Sequence, residues 1–214
     1  NSRRKKTIIF DRIFWCFFQF SNAGIGGSMA TSEVVIIPPE LNLRDICKFS
    51  SEISMLPKAD EFIFDFGKVG WFSPFAMLYL LMTLNEFKRQ RPNAKRKAEN
   101  YRRHKYAAHM GFFKSFGLDF GLRPGEAAGS NTYIPITIFS VKDLIDRANE
   151  TYQQVGDIIE GRSQEIATLL CQMDSGDLVD TIAFSVREII RNIVEHSDAS
   201  EIFMVGQYWP AKGT

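Results

Sequence analysis

The chain has 214 residues, of which 45% are hydrophobic and 24% charged, and its formal net charge is +1. This length predicts one large or two small domains, with enough apolar residues for a packed core. A net charge so close to zero excludes a partner selected by global charge alone. The three cysteines are scattered and form no Cys-x-x-Cys pair. They argue against a disulfide framework or a zinc site, and they predict a reducing, cytoplasmic location.

The first 28 residues differ from the rest of the chain. A basic start precedes an apolar stretch that Asp11 and Arg12 interrupt, so the stretch is too short to span a bilayer. Residues 26–30 read Gly-Gly-Ser-Met-Ala, which indicates a linker followed by a native start at Met29. We predict a leader or tag, or a disordered segment, over residues 1–28, with a membrane-surface anchor or a native extension as alternatives. No stable membrane insertion is expected.

Residues 29–122 predict a first domain that begins with alternating strands and helices. A β-branched run at 33–39 and an alternation of Phe with other residues at 61–69 predict two strands. The apolar spacing of residues 41–56 predicts an amphipathic helix between them.

A buried helix is predicted next, over residues 73–90. Ser73 is a suitable N-cap, and Pro74 stands at the first helical position, where a missing N–H costs nothing. The body of this helix is apolar nearly all round, which is typical of a buried helix. A short helix with an aromatic cluster is predicted over residues 106–118.

The segment at residues 88–105 is basic, with nine Lys or Arg residues and one Glu. Its middle part, residues 93–100, is too charged for an interior strand, which leaves an edge strand, a loop or disorder. One interpretation of the whole segment is a solvated surface. The alternative is nucleic-acid binding, in which the cations neutralise phosphates and nearby Tyr101, His104 and Tyr106 stack on bases.

A Pro/Gly/Ala/Ser-rich linker at 123–131 marks the best domain boundary, and residues 132–214 form the second predicted domain. Its first predicted elements are a strand at 132–139 and then a long helix or a broken helix pair, which begins at a capping box of Ser140 and Asp143. A helix from about Leu178 to His196 and a strand at 201–209 follow.

The helix ending at His196 carries three polar residues at a strict spacing of four, namely Glu188, Asn192 and His196. Each step advances only about 40° around a helix, so the three form a diagonal row. The apolar spacing predicts a core stripe of Ile182, Val186, Ile189 and Ile193. The row is expected beside that stripe, at the edge of the core, where a pocket wall would lie. There a carboxylate can act as a general base and an amide oxygen can bind Mg²⁺.

The stretch "FSVREIIRNIVEHSDASEIFMV" resembles the N box of the GHKL (Bergerat-fold) ATPases, over about 25 residues. The resemblance implies that Glu188 polarises water or a hydroxyl, that Asn192 binds Mg²⁺ and that His196 shapes an ATP site. The chain departs from that family because no Asp-x-Gly-x-Gly box follows the strand before the sequence stops at "YWPAKGT". The expectation is therefore an incomplete ATP pocket, in a fragment of a longer protein that binds ATP weakly by itself.

The first domain, from "FIFDFGKVGWFSPFAMLYLLMTL" to "AAHMGFFKSFGL", resembles the STAS or anti-sigma-antagonist fold. In that family the helix N-terminus carries a phosphorylated serine. Here Pro74 stands at that position and Ser73 is the hydroxyl that remains, so a plain N-cap is favoured over a phosphorylation switch. The two resemblances together imply an α/β (α+β) chain with a STAS-like domain followed by an incomplete GHKL α/β sandwich.

Three functions follow from these observations. The first is a bacterial regulator of the partner-switching type, whose intact form binds ATP and Mg²⁺ and a protein partner; whether it acts as an ATPase, a kinase or neither stays open. The second is nucleic-acid binding through residues 88–105. The third is a non-catalytic interaction module, including a homodimer, since an unfinished sheet edge invites pairing.

Overall fold

The structure is a computed structural model that describes residues 31–151 and 155–209. It mixes helices and strands, as the sequence predicts, and the leader predicted over residues 1–28 lies outside the described residues. In chain order the elements are β1 (Ser32–Ile36), α1 (Leu43–Ser54), β2 (Glu61–Asp65), α2 (Pro74–Gln90), β3 (Lys95–Glu99), α3 (Lys105–His109), α4 (Phe112–Ser115), β4 (Tyr133–Ser140), α5 (Val141–Thr151), α6 (Val155–Cys171), α7 (Asp177–His196) and β5 (Glu201–Gln207).

The strands β1, β2 and β3 form a parallel sheet in that order. Parallel neighbours need a crossover connection, which α1 and α2 supply. The predicted alternation in β2 is confirmed, because Phe62, Phe64 and the following Phe66 are fully buried. Their rings pack edge-on against Phe87 of α2 and against the aromatic side chains of α4. The sheet and its helices therefore enclose an aromatic core.

The helix α2 begins as the sequence predicts. Ser73 Oγ accepts a hydrogen bond of 3.2 Å from the Ala76 amide, and Pro74 occupies the first helical position. Leu80, Leu81 and Leu84 are fully buried, which confirms that this is a core helix. An N-cap that already accepts this bond satisfies one of the free amides of the first turn.

The basic stretch at 93–100 forms β3, an edge strand of the described sheet, which is one of the three alternatives that the sequence leaves open. Arg96 and Ala98 face inward and are half-buried, whereas Lys95, Lys97 and Glu99 are exposed. Charged side chains on an edge strand discourage pairing with another chain. The charge of this strand therefore has a structural explanation.

A second sheet pairs β4 with β5 in antiparallel register, with Phe139 opposite Ile202. It packs against the first core, since Ile136 of β4 is fully buried there and Phe203 and Val205 of β5 lie against it. The predicted linker folds onto this sheet, because the Gly125 amide donates a hydrogen bond of 2.8 Å to the Ile136 carbonyl. Both sides of the linker thus share one hydrophobic core, and the domain limits themselves stay a prediction.

The C-terminal helices cover the second sheet. The predicted long helix is a pair, α5 and α6, and the Asp143 amide donates to Ser140 Oγ at 3.1 Å as a cap. The helix α7 packs along α6, with buried Ala167, Val179 and Ala183 at their contact. Among the described helices, none combines the length and the apolar character that crossing a membrane requires.

Candidate functional site

The helix α7, which carries the predicted site, buries one face through Val179, Ala183 and Ile190. At 100° per residue these three side chains lie within about 40° of one another, so they define the centre of the packed face. Ala183 is small enough to let α6 approach closely. The orientation of α7 therefore follows from its contact with α6.

The structure rotates α7 relative to the sequence prediction. The predicted stripe included Ile189, but this side chain is 55% exposed. The stripe is centred about 70° away from the packed face, because the fully packed side chains of α7 are Val179, Ala183 and Ile190. Ile182 and Ile193 are only partly buried, and Leu178 is exposed. Val186 and Ile193 still pack against the core around Ile190, and Ile182 packs beside Ala183, so Ile189 is the member of the predicted stripe that is left exposed.

The row of Glu188, Asn192 and His196 shares one side of α7, but it is not at the edge of the core, and that prediction is wrong. Glu188 and Asn192 point about 160° away from the centre of the packed face, and His196 about 120° away. Asn192 is exposed, and the side chain of His196 is 70% exposed. Glu188 is the least accessible of the three, with 37% of its side chain exposed. The row therefore lies on the open surface of the helix.

Arg191 forms ion pairs with two carboxylates, one in the row and one beside it. Its Nε donates a hydrogen bond of 2.7 Å to Glu195 Oε1, and its Nη1 lies 3.9 Å from Glu188 Oε1. The hydrogen bond from Arg191 to Glu195, together with the negative charge of Glu188, raises the pKa of the guanidinium. Glu188 thus holds only the longer and weaker of the two ion pairs, and its carboxylate can turn toward a ligand without breaking a hydrogen bond in the described structure.

The row can supply few metal ligands by itself. Within residues 31–151 and 155–209, no three His, Cys, Asp or Glu side chains are grouped as a metal site. Asn192 offers one amide oxygen and Glu188 a carboxylate. Mg²⁺ keeps several waters and shares its remaining positions with phosphate oxygens, so one or two protein ligands are sufficient for a phosphate-bound ion.

The predicted nucleic-acid segment is largely engaged within the fold. Arg91 Nη2 donates to the carbonyls of Ser54 and Leu56, at 3.3 and 2.9 Å, and Lys97 pairs with Glu61 at 2.8 Å. Arg89 makes two hydrogen bonds to Glu86. Arg91 is held inside the fold, whereas Arg89 and Lys97 keep 76% and 62% of their side chains exposed, so nucleic-acid binding by this segment stays a prediction.

The aromatic residues proposed for base stacking are also covered. Tyr101 packs against Phe113 and Phe120, and His104 is buried. Tyr106 is half-buried, with its ring stacked on Trp71 at 4.9 Å between centroids. Burial raises the pKa of Tyr106 to about 12, so its hydroxyl stays protonated, and it donates to Gln207 Oε1 at 3.1 Å.

A cavity that the sequence analysis did not anticipate lies at the carboxyl ends of β2 and β3. It measures about 440 Å³ and is lined by Gly67, Asn100, Arg102 and Arg103. Ligands of parallel α/β sheets bind at this end of the strands. Gly67, which follows β2, was the sequence feature that could have indicated this cavity. It does so only when β3 is known to lie beside β2, and the charged sequence of β3 did not indicate that pairing.

No protein-family model, curated protein or solved structure matches this chain.

Proposed function

We propose that the chain is a regulatory protein of the partner-switching type, in which the unit built on β1–β3 recognises a protein partner and α7 provides one wall of a Mg·ATP site. In this proposal Asn192 binds Mg²⁺ through its amide oxygen, Glu188 orients or deprotonates the attacking water or hydroxyl, and His196 shapes the site. The resemblance of residues 184–205 to the N box of the GHKL ATPases supports the assignment of these roles.

The observation that carries the proposal is the accessibility of the row. Asn192 and His196 are exposed and Glu188 is half-buried on the same helix, and within the described residues Glu188 makes an ion pair with Arg191 but no hydrogen bond that a ligand must break. The uncovered Ile189 lies about 60° around the helix from Asn192, so an apolar group of the same ligand can contact it. An open site gives little desolvation, and we therefore expect weak binding by this chain.

Weak binding is best measured by NMR. Titration of the ¹⁵N-labelled chain with ATP should shift the amide signals of residues 188–196 when Mg²⁺ is present and much less after EDTA is added. Asn192→Ala should reduce the affinity for Mg·ATP several-fold, because the metal loses a protein oxygen ligand. Asn93→Ala, which changes another exposed amide at the turn before β3, is the matched control.

Two results would count against the proposal. One is that the amides of residues 188–196 do not shift at millimolar Mg·ATP. The other is that Asn192→Ala and Asn93→Ala bind equally well. Arg102→Gln should leave these shifts unchanged, because Arg102 lies at the cavity of the first sheet and not on α7.

The chemistry after binding is a separate question. Glu188 is the carboxylate of the row that can act as a general base, whereas Glu195 is held by Arg191. If the site hydrolyses ATP, Glu188→Gln should abolish phosphate release and leave ATP binding intact. Glu195→Gln is the matched control and should retain activity. Equal rates in the two variants would exclude Glu188 as the base.

A further inference from the structure

The loops that follow β2 and β3 are joined to each other along their length. The first loop spans residues 66–73 and the second spans residues 100–104. Their contacts are Phe66 N to Glu99 O at 3.0 Å, Asn100 Nδ2 to Asp65 Oδ1 at 2.7 Å, His104 Nε2 with Phe66 O at 3.0 Å, and Arg103 Nη2 to Val69 O at 3.3 Å. The space between the loops is therefore held open in a defined shape.

This space is the 440 Å³ cavity, and Gly67 forms part of its wall. A Cβ atom at position 67 would stand 2.9 Å from Asp65 Oδ1 and 3.2 Å from Asn100 Nδ2, which is closer than such atoms pack. A side chain here would push against the hydrogen bond that joins the two strands. The absence of a side chain thus preserves both the cavity and the bond beside it.

Cations dominate the charge around the cavity. Residues 65–70 and 99–105 contain Lys68, Arg102, Arg103 and Lys105 against the carboxylates of Asp65 and Glu99. Asp65 Oδ1 is occupied by hydrogen bonds from the Asn100 amide and from the Gly67 N–H, which face it at 2.7 and 2.8 Å. One carboxylate oxygen of Asp65 is therefore already hydrogen-bonded. Asp119, which is paired with Lys114, also interacts electrostatically with Arg102, and the cations still outnumber the carboxylates around the cavity.

Each guanidinium is positioned by the fold while keeping free N–H groups. Arg102 lies over the rings of Tyr101 and Phe120, at 5.5 and 5.7 Å from their centroids. Arg103 uses Nη2 to hold the Val69 carbonyl. A guanidinium carries five N–H donors in a planar fork that matches the oxygens of a phosphate. The two arginines can therefore donate to an anion without giving up these contacts.

An exposed indole stands on the same loop. Trp71 is 51% exposed although Tyr106 stacks on it at an interplanar angle of 14°, and Trp209 contacts it at 6.4 Å with the rings inclined by 62°. Tyr106 supports one face of the indole, and about half of the surface of Trp71 stays accessible beside Tyr106 and Trp209. Trp71 is two residues from Val69, so their Cα atoms are no more than about 7 Å apart. Val69 is in turn held by Arg103, which lines the cavity.

We propose that this cavity binds the phosphate of a nucleotidyl group, with Arg102 and Arg103 donating to the phosphate oxygens and Trp71 stacking on the base. The nucleotidyl group comes from a free mononucleotide or from a single-stranded nucleic acid, which share this chemistry. Stacking on an aromatic ring beside a cationic groove is the usual mode of binding single strands. The site is separate from the row on α7, and it does not depend on Mg²⁺.

The test uses three probes with the full chain: AMP, inorganic phosphate, and a fluorescein-labelled octamer of uridylate RNA. AMP in EDTA should shift the amides of residues 66–71 and 100–106, and phosphate should compete with it.

Arg102→Gln and Arg103→Gln should each weaken AMP binding about tenfold, the usual effect of losing a charge-assisted hydrogen bond. Trp71→Ala should weaken AMP binding but leave phosphate binding unchanged. Arg89→Gln removes an exposed arginine at the far end of α2 and should have no effect.

The octamer distinguishes the two sources. Binding at least tenfold tighter than AMP, with an affinity that falls steeply as salt is raised, identifies a single-stranded nucleic acid. Affinity for the octamer equal to that for AMP identifies a free nucleotide. The proposal is overturned if neither probe shifts the two loops at millimolar concentration, or if Arg102→Gln binds AMP as the unaltered chain does. Arg102→Gln decides this point because Arg102 lies over two ring faces, whereas Arg103 holds the Val69 carbonyl, so its replacement also removes a contact between the loops.

Discussion

The Asn100 side-chain amide donates a hydrogen bond of 2.7 Å to Asp65 Oδ1 and so joins the carboxyl ends of two neighbouring parallel strands. Asn100 has a φ of 58°, in the left-handed region that asparagine tolerates better than most residues. The hydrogen bond from Asn100 and that from the Gly67 amide hold the pKa of Asp65 below its ordinary value of 3.8. One residue thus closes the turn after β3 and stabilises the ionised form of Asp65.

Replacement of Asn100 should separate the contribution of its side-chain hydrogen bond to stability from that of its left-handed backbone conformation. Asn100→Gly keeps the backbone conformation and loses the hydrogen bond, so we expect the free energy of unfolding to fall by about 1 kcal/mol. Asn100→Ala also adopts the left-handed conformation at a cost, and should lose about 2 kcal/mol. Urea unfolding measures both, and carboxyl NMR should show the pKa of Asp65 rising toward its ordinary value. Equal stability of the two variants would contradict the role of the backbone conformation.

Two glycines, Gly121 and Gly117, both have a positive φ, but we expect substitution by Ala to destabilise the fold to very different extents. Gly121 has a φ of +86°, and a Cβ there would lie 2.2 Å from the Ala108 carbonyl oxygen. Gly117 has a φ of +92° with nothing within 4 Å of that position. Gly117→Ala should cost about 1–2 kcal/mol from its conformation alone. Gly121→Ala should cost more than about 3 kcal/mol, because backbone must move as well. Thermal unfolding should therefore show a clearly lower midpoint for Gly121→Ala, and similar midpoints would refute the close approach.

Arg91 and Arg89 stand two residues apart and should differ in their contribution to stability. The Arg91 guanidinium lies 4.4 Å from the Phe87 ring centroid and donates to the last carbonyls after α1, whereas Arg89 pairs with Glu86 on the surface. We expect Arg91→Ala to lower the free energy of unfolding by about 2–3 kcal/mol. Arg89→Ala should leave it nearly unchanged, because an exposed ion pair contributes little to stability. Chemical denaturation of the two variants side by side is the measurement.

The stability should depend on pH through His104. Burial lowers the pKa of this imidazole below its ordinary value of 6.5, as does the charge of Arg103, while the hydrogen bond with the Phe66 carbonyl opposes the shift. The unfolded chain therefore takes up the proton at a higher pH than the folded chain. The contribution of neutral His104 to the free energy of unfolding is fully present above pH 6.5, and it is lost as the pH falls through the pKa of the folded state.

His104→Gln keeps a donor for the Phe66 carbonyl but cannot titrate. Urea unfolding between pH 7 and pH 5 should show a smaller loss of stability in this variant than in the unaltered chain. His109→Gln, at an exposed position, should retain the original dependence. If His104→Gln shows the same slope as the unaltered chain, the pH dependence arises elsewhere.

Local features of this protein were predictable because their causes lie within a few residues. The alternation of Phe62, Phe64 and Phe66 is a property of a strand with one buried face. The pairing of Ser73 with Pro74 satisfies the start of α2 within one turn. The spacing of Glu188, Asn192 and His196 places them on one side of any helix that spans them, whatever it packs against.

The tertiary structure decided which surfaces meet. The charges of this segment, at Lys95, Lys97 and Glu99, are typical of a solvent-exposed stretch. Only its parallel pairing with β2 makes it an edge strand, and the same pairing places Arg102 and Arg103 beside Gly67. The rotation of α7 follows from the burial of Val179, Ala183 and Ile190 against α6 and the second sheet, so Ile189 faces outward although the isoleucine spacing placed it in the core. Periodicity reports which residues share a face, but the neighbour that buries a face is chosen by packing between segments distant in the chain.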